Sequence, residues 1–282
     1  MGSTCIITDN AAQFTKLNFP ENICLRFINY KSIYGLSGTK DKTKPNLSTF
    51  PRQLTLDQKP IITLPSFSEI YDLITSSLST FDDVFIILHS KELSPVYEIV
   101  ANMISKMHGR ASVHLIDSQS ISTGQGHLIQ FASDLIINNI PGADIEQKLR
   151  EEVPHIYTLL CATNLSYLHT SGFIDIGQCI VGEMVSLLPI FGIEGGKLNP
   201  LEKVKNTHSV VDYFIEFIDE FDDLFQLSFL QPAPPLLSEA KIIKQYIEEN
   251  YSNTTYTEHP LNSYLVSLIG PKGFGIVVLE KS

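Results

Sequence analysis

The chain has 282 residues, 43% of them hydrophobic and 18% charged, with 16 Gly and 15 Pro. That balance is too apolar for a disordered chain and too poor in glycine for a collagen-like one, and the length accommodates two packed domains or one large one. Thirty-one acidic against twenty basic residues give a net charge of −11, which argues against nucleic acid as a partner, because its binding rests on basic side chains that neutralise phosphates.

In chain order, Cys5–Thr8 reads as a strand closed by Asp9-Asn10, and Lys31–Lys59 as a polar surface excursion. Ile61–Leu64 is a further strand. Ser66 and Glu69 form a capping box that opens a helix, with Phe67, Ile70, Tyr71, Ile74 and Leu78 on one face. Val84–Leu88 is a buried strand by its continuous apolar character. Ser94-Pro95 fits an N-cap and first-turn proline, with Ile99, Val100, Met103 and Ile104 facing inward. Val113–Ile116 is a strand stopped by Asp117-Ser118. A helix follows from Ser122–Gly126, burying Leu128, Phe131, Ala132, Leu135 and Ile136, then a helix over Asp144–Val153 and a strand over Ile156–Ala162. This alternation predicts a mostly parallel sheet with helices on both faces.

The rhythm changes after about residue 165. Gly177–Leu188 reads as a helix, and Pro189–Ile193 with Lys197–Val204 as a hairpin around Gly195-Gly196. Val210–Phe221 and Glu239–Tyr251 are amphipathic helices. Tyr264–Ile269 and Gly275–Leu279 flank Gly270-Pro271-Lys272-Gly273 as a second candidate hairpin. The expectation is a two-lobed α/β protein. Its N-terminal lobe, 1–163, is built on a mostly parallel sheet with flanking helices, and its C-terminal α/β lobe, 164–282, on a mixed or antiparallel sheet.

The apolar runs, Val84–Leu88 and Ile174–Val181 among them, stop far short of the roughly 20 residues that a membrane-spanning helix needs. Met1-Gly2-Ser3-Thr4 leads into Cys5-Ile6-Ile7 without a basic and then apolar secretory signal. Cys5, Cys24, Cys161 and Cys179 are widely spaced and form no CxxC pair, so they are expected to be buried reduced thiols of a cytoplasmic protein.

Gly195-Gly196-Lys197 lacks the preceding glycine and following Ser or Thr of a phosphate loop, and Gly270-Pro-Lys-Gly-Phe-Gly275 lies between two expected strands, so both read as turns. The eight histidines show no HxxxH or HxH spacing, and no metal is expected. No Gly-x-Ser-x-Gly elbow occurs. An enzyme working at the sheet edge would need Asp9, Asp117 or Asp175 for proton transfer, and turn formation explains Asp9 and Asp117 better. What remains are hydroxyl-bearing segments just past the carboxyl ends of the expected parallel strands: Thr8-Asp9-Asn10, Thr63-Leu64-Pro65-Ser66, Ser90 to Ser94, and Asp117-Ser118 with Ser122-Thr-Gly-Gln-Gly126. In open α/β sheets that edge is where ligands bind.

These segments resemble those of the DegV family of bacterial fatty-acid-binding proteins. Ile6-Ile-Thr-Asp-Asn-Ala-Ala-Gln-Phe14 is similar to the family's opening motif, Ile61-Ile-Thr-Leu-Pro-Ser66 to its threonine-serine segment, and Leu93-Ser-Pro-Val-Tyr97 to its serine-glycine segment. Ile116-Asp-Ser-Gln-Ser-Ile-Ser-Thr-Gly-Gln-Gly126, Tyr167-Leu-His-Thr-Ser-Gly-Phe-Ile174, Leu187-Leu-Pro-Ile190 with Lys203-Val-Lys205, and Gly270 to Gly275 follow in the family's order. The resemblance runs from residue 6 to residue 279.

The resemblance implies a carrier, not a catalyst. It would enclose a long-chain fatty acid such as palmitate, stearate or oleate between its lobes, with the carboxylate at the lobe interface, and could present it to a fatty-acid kinase. No cofactor is implied beyond that ligand. Ser94 and Thr63 are the surviving hydroxyl candidates for the head group, with Ser118 and Asn10 as helpers. Ile62, Phe173 and Leu268 stand where the family has a threonine, an arginine and a histidine, and Lys205 where it has an arginine. The changes at Phe173, Lys205 and Leu268 weigh against hand-over to a kinase more than against lipid binding. The rival expectations are a lipid or small-metabolite binder with altered head-group specificity, and a scaffold whose pocket its own side chains fill.

Overall fold

The computed structural model describes residues 3–16, 19–20, 23–32, 47, 50–54, 62–107, 109 and 111–281. The excursion expected over Lys31–Lys59 lies mostly outside the described residues, as does Ile61. The chain divides into two units. The first comprises Met1–Lys31, Leu64–Ile156 and Glu194–Lys197; the second comprises Ser32–Thr63, Tyr157–Ile193 and Leu198–Ser282.

Continuous apolar runs make the centre of the first unit. Strand β1 (Thr4–Asp9) is buried from Cys5 onward, and pairs in parallel with β2 (Cys24–Ile28). After β3 (Lys31–Ser32) and β4 (Ile62–Thr63), strand β5 (Asp83–Leu88) pairs in parallel with the other side of β1, placing Ile6 opposite Phe85. Strand β6 (Ser112–Asp117) completes the parallel order β2-β1-β5-β6. Strands this apolar need cover on both faces, and helices α1 (Phe67–Thr80), α2 (Val96–Ile104), α3 (Thr123–Ile137) and α4 (Gly142–Glu152) alternate with them. β2 gave no clear strand signal because it is a half-buried edge strand with Arg26 in its middle.

Helix α1 begins as expected. Ser66 Oγ accepts the Glu69 amide at 3.3 Å, and Glu69 Oε2 accepts the Ser66 amide at 2.7 Å. Its buried stripe is rotated from the expected face to Ile70, Ile74 and Ser77, while Phe67 (66% exposed) and Tyr71 stack on the outside. Arg26 explains the rotation, because its Nη1 donates to Ser76 and Ser77 Oγ at 2.8 and 2.9 Å and draws that polar edge toward β2. Ser66→Ala is expected to destabilise the chain by about 1 kcal/mol, read as a lower urea midpoint at unchanged slope; an unchanged midpoint would show that the cap contributes nothing.

The second unit holds a mixed sheet of order β11-β10-β12-β7-β8-β9. Its strands are β7 (Ile156–Cys161), β8 (Leu188–Glu194), β9 (Lys197–Val204), β10 (Leu224–Gln231), β11 (Thr255–Pro260) and β12 (Phe274–Glu280). β7 runs antiparallel to β8, and β10 runs parallel to β11 and antiparallel to β12. Helices α5 (Leu165–Thr170), α6 (Ile176–Met184), α7 (Thr207–Ile218), α8 (Leu237–Asn250) and α9 (Ser263–Ile269) accompany it. The core joins Leu159, Ile190, Phe214, Phe229, Ile243 and Phe274, with Phe214 and Phe274 edge-to-face at 5.9 Å.

The hairpin at Gly195-Gly196 forms as expected, with φ of 56° and 83° at the two glycines, the positive values that a tight two-residue hairpin turn requires. The second expected hairpin does not form. Tyr264–Ile269 lies in α9, because Asn262 Oδ1 caps the Leu265 amide at 2.8 Å and Gly270, at φ 85°, ends the helix before β12. The strand expected over Ile156–Ala162 also exists, but it pairs with β8 instead of extending the parallel sheet. A run of apolar residues specifies burial and extension, and leaves the choice of neighbour to topology.

All four cysteines are free thiols; Cys5, Cys161 and Cys179 are buried. Burial first, then the neighbouring Cys24, pushes the Cys5 thiol up to about 12, and burial alone pushes Cys161 up to about 12. Neither thiol is a nucleophile at neutral pH.

Candidate functional site

In the first unit the chain leaves β1 toward β2 on one side, and reaches β5 and then β6 on the other. The switch point therefore falls between the carboxyl ends of β1 and β5, where open parallel sheets present a crevice. Two residues meet there. Asp9 ends β1 and is 0% exposed; His89 follows β5 and is 2% exposed.

A buried carboxylate is stable only when its oxygens are supplied with donors. Asp9 Oδ1 accepts the Ala11 amide at 3.0 Å. Its Oδ2 accepts the His89 amide at 3.0 Å and Gln125 Nε2, from the first turn of α3, at 3.1 Å. His89 Nδ1 lies 2.9 Å from the same Oδ2, and Gln125 Nε2 also donates to Thr8 Oγ1 at 3.0 Å. The cluster ties β1, β5 and α3 together at one sheet edge.

Tyr30, just beyond β2, packs its ring edge-on against His89 at 5.4 Å. Its hydroxyl is 3.2 Å from Ser94 Oγ and 3.4 Å from His89 Nδ1. Asn10 holds the Tyr30 backbone from both sides: Asn10 Oδ1 accepts the Tyr30 amide at 2.9 Å, and Asn10 Nδ2 donates to the Tyr30 carbonyl at 3.1 Å. Ser94, 5% exposed, accepts the Val96 amide on its Oγ at 3.3 Å, so helix α2 starts one residue later than expected, with Pro95 at the N-cap and Ser94 capping from outside.

Asn10 and Ser94 are thus brought together around Tyr30. Ser118 Oγ instead donates to the Ser120 carbonyl at 3.0 Å and accepts the Ser120 amide, which builds its own loop. Asp117 accepts the Gln119 amide at 3.0 Å, the turn role expected of it, and Asp175 caps α6. Ser90 Oγ donates to the Gly196 carbonyl at 2.6 Å.

In the second unit, Ile62 is half-buried and Thr63 exposed on β4, and α9, which carries the buried Leu268, packs against that strand. Phe173 follows α5, which packs on α9, and Ser171 Oγ donates to the Ser267 carbonyl at 3.0 Å. Ile62, Thr63, Phe173 and Leu268 therefore belong to one corner of this unit, and Lys205 lies exposed just after β9.

Chemically, Asp9 and His89 look like two members of a nucleophile-activating triad, but Ser94 approaches the Nδ1 side, through Tyr30, and Nδ1 already faces Asp9. A base nitrogen beside the serine, which nucleophilic activation requires, is not what this order of groups provides. Among the described residues no group of three or more His, Cys, Asp or Glu is arranged to hold a metal ion, and no helix is long and apolar enough to cross a membrane.

Tyr30 and His89 escaped the sequence reading, and Gln125 entered it only as part of the Ser122–Gly126 segment, without a role of its own. A faint signal for His89 existed: it directly follows the Val84–Leu88 run, as Asp9 closes the Cys5–Thr8 run, so both occupy strand carboxyl ends. Nothing in the sequence marks Tyr30, which borders the excursion.

A parallel sheet with buried polar groups at its switch point and a six-stranded mixed sheet define a two-unit α/β protein. The chain belongs to the DegV family, whose family model matches residues 4–281. A DegV domain-containing protein of Caldanaerobacter subterraneus subsp. tengcongensis is 24% identical over 182 residues, and the match spans 64% of each chain, under two thirds of that relative. Two solved structures share the fold over nearly the full length. A fatty acid binding DegV family protein of Streptococcus agalactiae superposes with a TM-score of 0.81 at 16% identity, covering 100% of both chains. The Fatty Acid Kinase (Fak) B3 protein of Streptococcus pneumoniae, loaded with linoleic acid, superposes with a TM-score of 0.79 at 14% identity, covering 99% of this chain and 100% of its own.

Proposed function

We propose that this chain is a cytoplasmic, non-catalytic binding protein for a long-chain fatty acid, whose carboxylate is received by the Ser94 hydroxyl. The observation that carries the reading is Ser94 itself, a serine 5% exposed at the carboxyl edge of the parallel sheet, in a family whose S. agalactiae member is a fatty acid binding protein. An acyl tail gains about 0.8 kcal/mol for each CH₂ buried, so the tail supplies affinity and the head group supplies orientation. The raised Cys5 and Cys161 thiols, and a Ser94 with no base nitrogen beside it, favour holding over turnover.

Kinase hand-over is the weaker part of the family role here. Phe173 and Leu268 bring no charge to a phosphorylated head group, and Leu268 is buried in the packing of α9.

Organic extraction of the purified chain, followed by mass spectrometry, tests the reading. A fatty acid at near 1:1 stoichiometry is expected; a chain that carries none and takes up no added hexadecanoic acid would overturn it. Ser94→Ala is expected to weaken hexadecanoic acid binding by about 1–3 kcal/mol, measured by titration of delipidated protein. Unchanged affinity would remove Ser94 from the site.

A further inference from the structure

We propose that Cys5 and Cys24 form a peroxide-reactive dithiol, which closes reversibly into a disulfide and staples the edge strand β2 to β1. The proposal stands on the first unit alone and is independent of any ligand in the site above.

The register brings the two sulfurs together. Cys5 and Cys24 are directly opposed in the parallel pair of β1 and β2, and opposed residues of neighbouring strands direct their side chains to one face. Adjacent strands lie about 4.8 Å apart, inside the roughly 4.4–6.8 Å that separates the Cα atoms of a disulfide, so the bond forms without parting the strands. The Cys5 thiol is already in hydrogen-bond contact with Cys24 and with Ser77 of α1. Arg26, two residues after Cys24 and therefore on the same face of β2, donates from Nη1 to Ser76 and Ser77 Oγ at 2.8 and 2.9 Å. Its charge is thereby held within reach of the Cys5 sulfur.

The two thiols are unequal, and the inequality sets the order of events. Cys5 is 0% exposed, and burial first, then Cys24, pushes its thiol up to about 12, so it does not meet the oxidant. Cys24 is half-buried on the edge strand of the sheet. Its thiolate attacks one oxygen of hydrogen peroxide. The O–O bond breaks, hydroxide leaves and takes up a proton to become water, and Cys24 is left as a sulfenic acid. The charge on Cys24 is then gone, while Ser77 and Arg26, which both favour an ionised Cys5, remain. Cys5 gives up its proton and attacks the Cys24 sulfur; the S–O bond breaks, and the hydroxyl leaves with that proton as a second water. In sum the two thiols lose two protons and two electrons, and the peroxide is reduced to two waters. The second step joins groups already held in contact, so a small thiolate fraction at Cys5 suffices.

Peptide mapping of the wild-type chain tests the proposal without a variant. The reduced full chain is exposed to hydrogen peroxide, quenched with catalase, alkylated in urea with N-ethylmaleimide and digested without reductant. Free thiols are expected to fall from four to two, with Cys5 and Cys24 recovered as one linked peptide, Cys161 and Cys179 alkylated, and all four restored by dithiothreitol. Cys24 carried on to a sulfinic acid while Cys5 stays alkylatable, a linkage between other cysteines, or four thiols left free would each overturn the proposal. Cys5→Ser is expected to stop at the Cys24 sulfenic acid, trapped with dimedone, and Cys24→Ser to leave Cys5 fully alkylated; dimedone on Cys5 in Cys24→Ser would overturn the order of events. Urea denaturation reads the staple. Oxidised wild type is expected to unfold at a higher midpoint than reduced wild type, because closing the segment between residues 5 and 24 restricts the unfolded chain, and Cys24→Ser is expected to show no peroxide-dependent change. A linked peptide without that rise would overturn the staple.

Discussion

Asp9→Ala is expected to lower the stability of the chain by about 3–5 kcal/mol, a large part of the roughly 5–15 kcal/mol that holds a domain folded. The size follows from what the carboxylate serves. It receives the Ala11 amide, the His89 amide, His89 Nδ1 and Gln125 Nε2, all within 3.1 Å and all in a site closed to water. Alanine removes the acceptor that these donors share, and a buried donor that loses its partner costs about 1–3 kcal/mol, while Gln125 Nε2 keeps its bond to Thr8 Oγ1. Asp9→Asn is no neutral substitute. Its amide oxygen serves one side of the cluster, and its NH₂ then faces N–H groups on the other. Urea denaturation followed by circular dichroism measures both variants, with Ala at least as damaging as Asn. A loss below about 1 kcal/mol for Asp9→Ala would mean that the cluster contributes little and that water or a rearranged loop replaces it.

The same cluster explains where sequence reasoning succeeded and where it stopped. The cores of β1 and β5 were legible because an unbroken apolar run can only be satisfied by burial, and the Ser66–Glu69 box because its two bonds are local. The switch from parallel to mixed pairing was half legible. It was visible as a change of rhythm, yet β10 and β11 were not placed, since Leu224–Gln231 mixes Gln and Ser into its run and Thr255–Pro260 is a polar edge. Tyr264–Ile269 is a helix rather than the expected strand because a short run of five apolar residues and one serine fits a strand and a buried helix equally, and only the Asn262 cap decides. For the site, the hydroxyl segments at the strand ends were readable one by one. Their convergence was not. Asp9 and His89 are 80 positions apart, Gln125 is 116 from Asp9, and Tyr30 meets Ser94 across 64. Separations of that length are fixed by strand order, which periodicity does not encode.

Gly126→Ala is the other substitution with a large expected effect, and the local rule gives it the wrong sign. Glycine in a helix interior is about 1 kcal/mol worse than alanine, so on propensity alone the change should stabilise α3. Packing reverses this. A Cβ at Gly126 would collide with the Gln13 carbonyl oxygen and lie 2.8 Å from its carbon, both backbone atoms that cannot rotate away. The approach is that close because the segment after β1 is bonded to the start of α3: the Gln13 amide donates to the Ser122 carbonyl at 3.0 Å, and Ser122 Oγ donates to Gln13 Oε1 at 2.6 Å. Moving Gln13 aside pulls on Ala11 and Asn10, and through them on Asp9 and Tyr30. The expected result is a loss of about 3 kcal/mol or more, accompanied by weaker hexadecanoic acid binding, because the clash displaces the loop that organises Ser94. Gly109→Ala, with nothing within 4 Å of the added carbon, is the matched control and is expected to leave melting temperature and affinity unchanged. A Gly126→Ala chain that melts higher than wild type would show that helix propensity outweighs the contact, and that the junction of β1 with α3 is loose enough to yield.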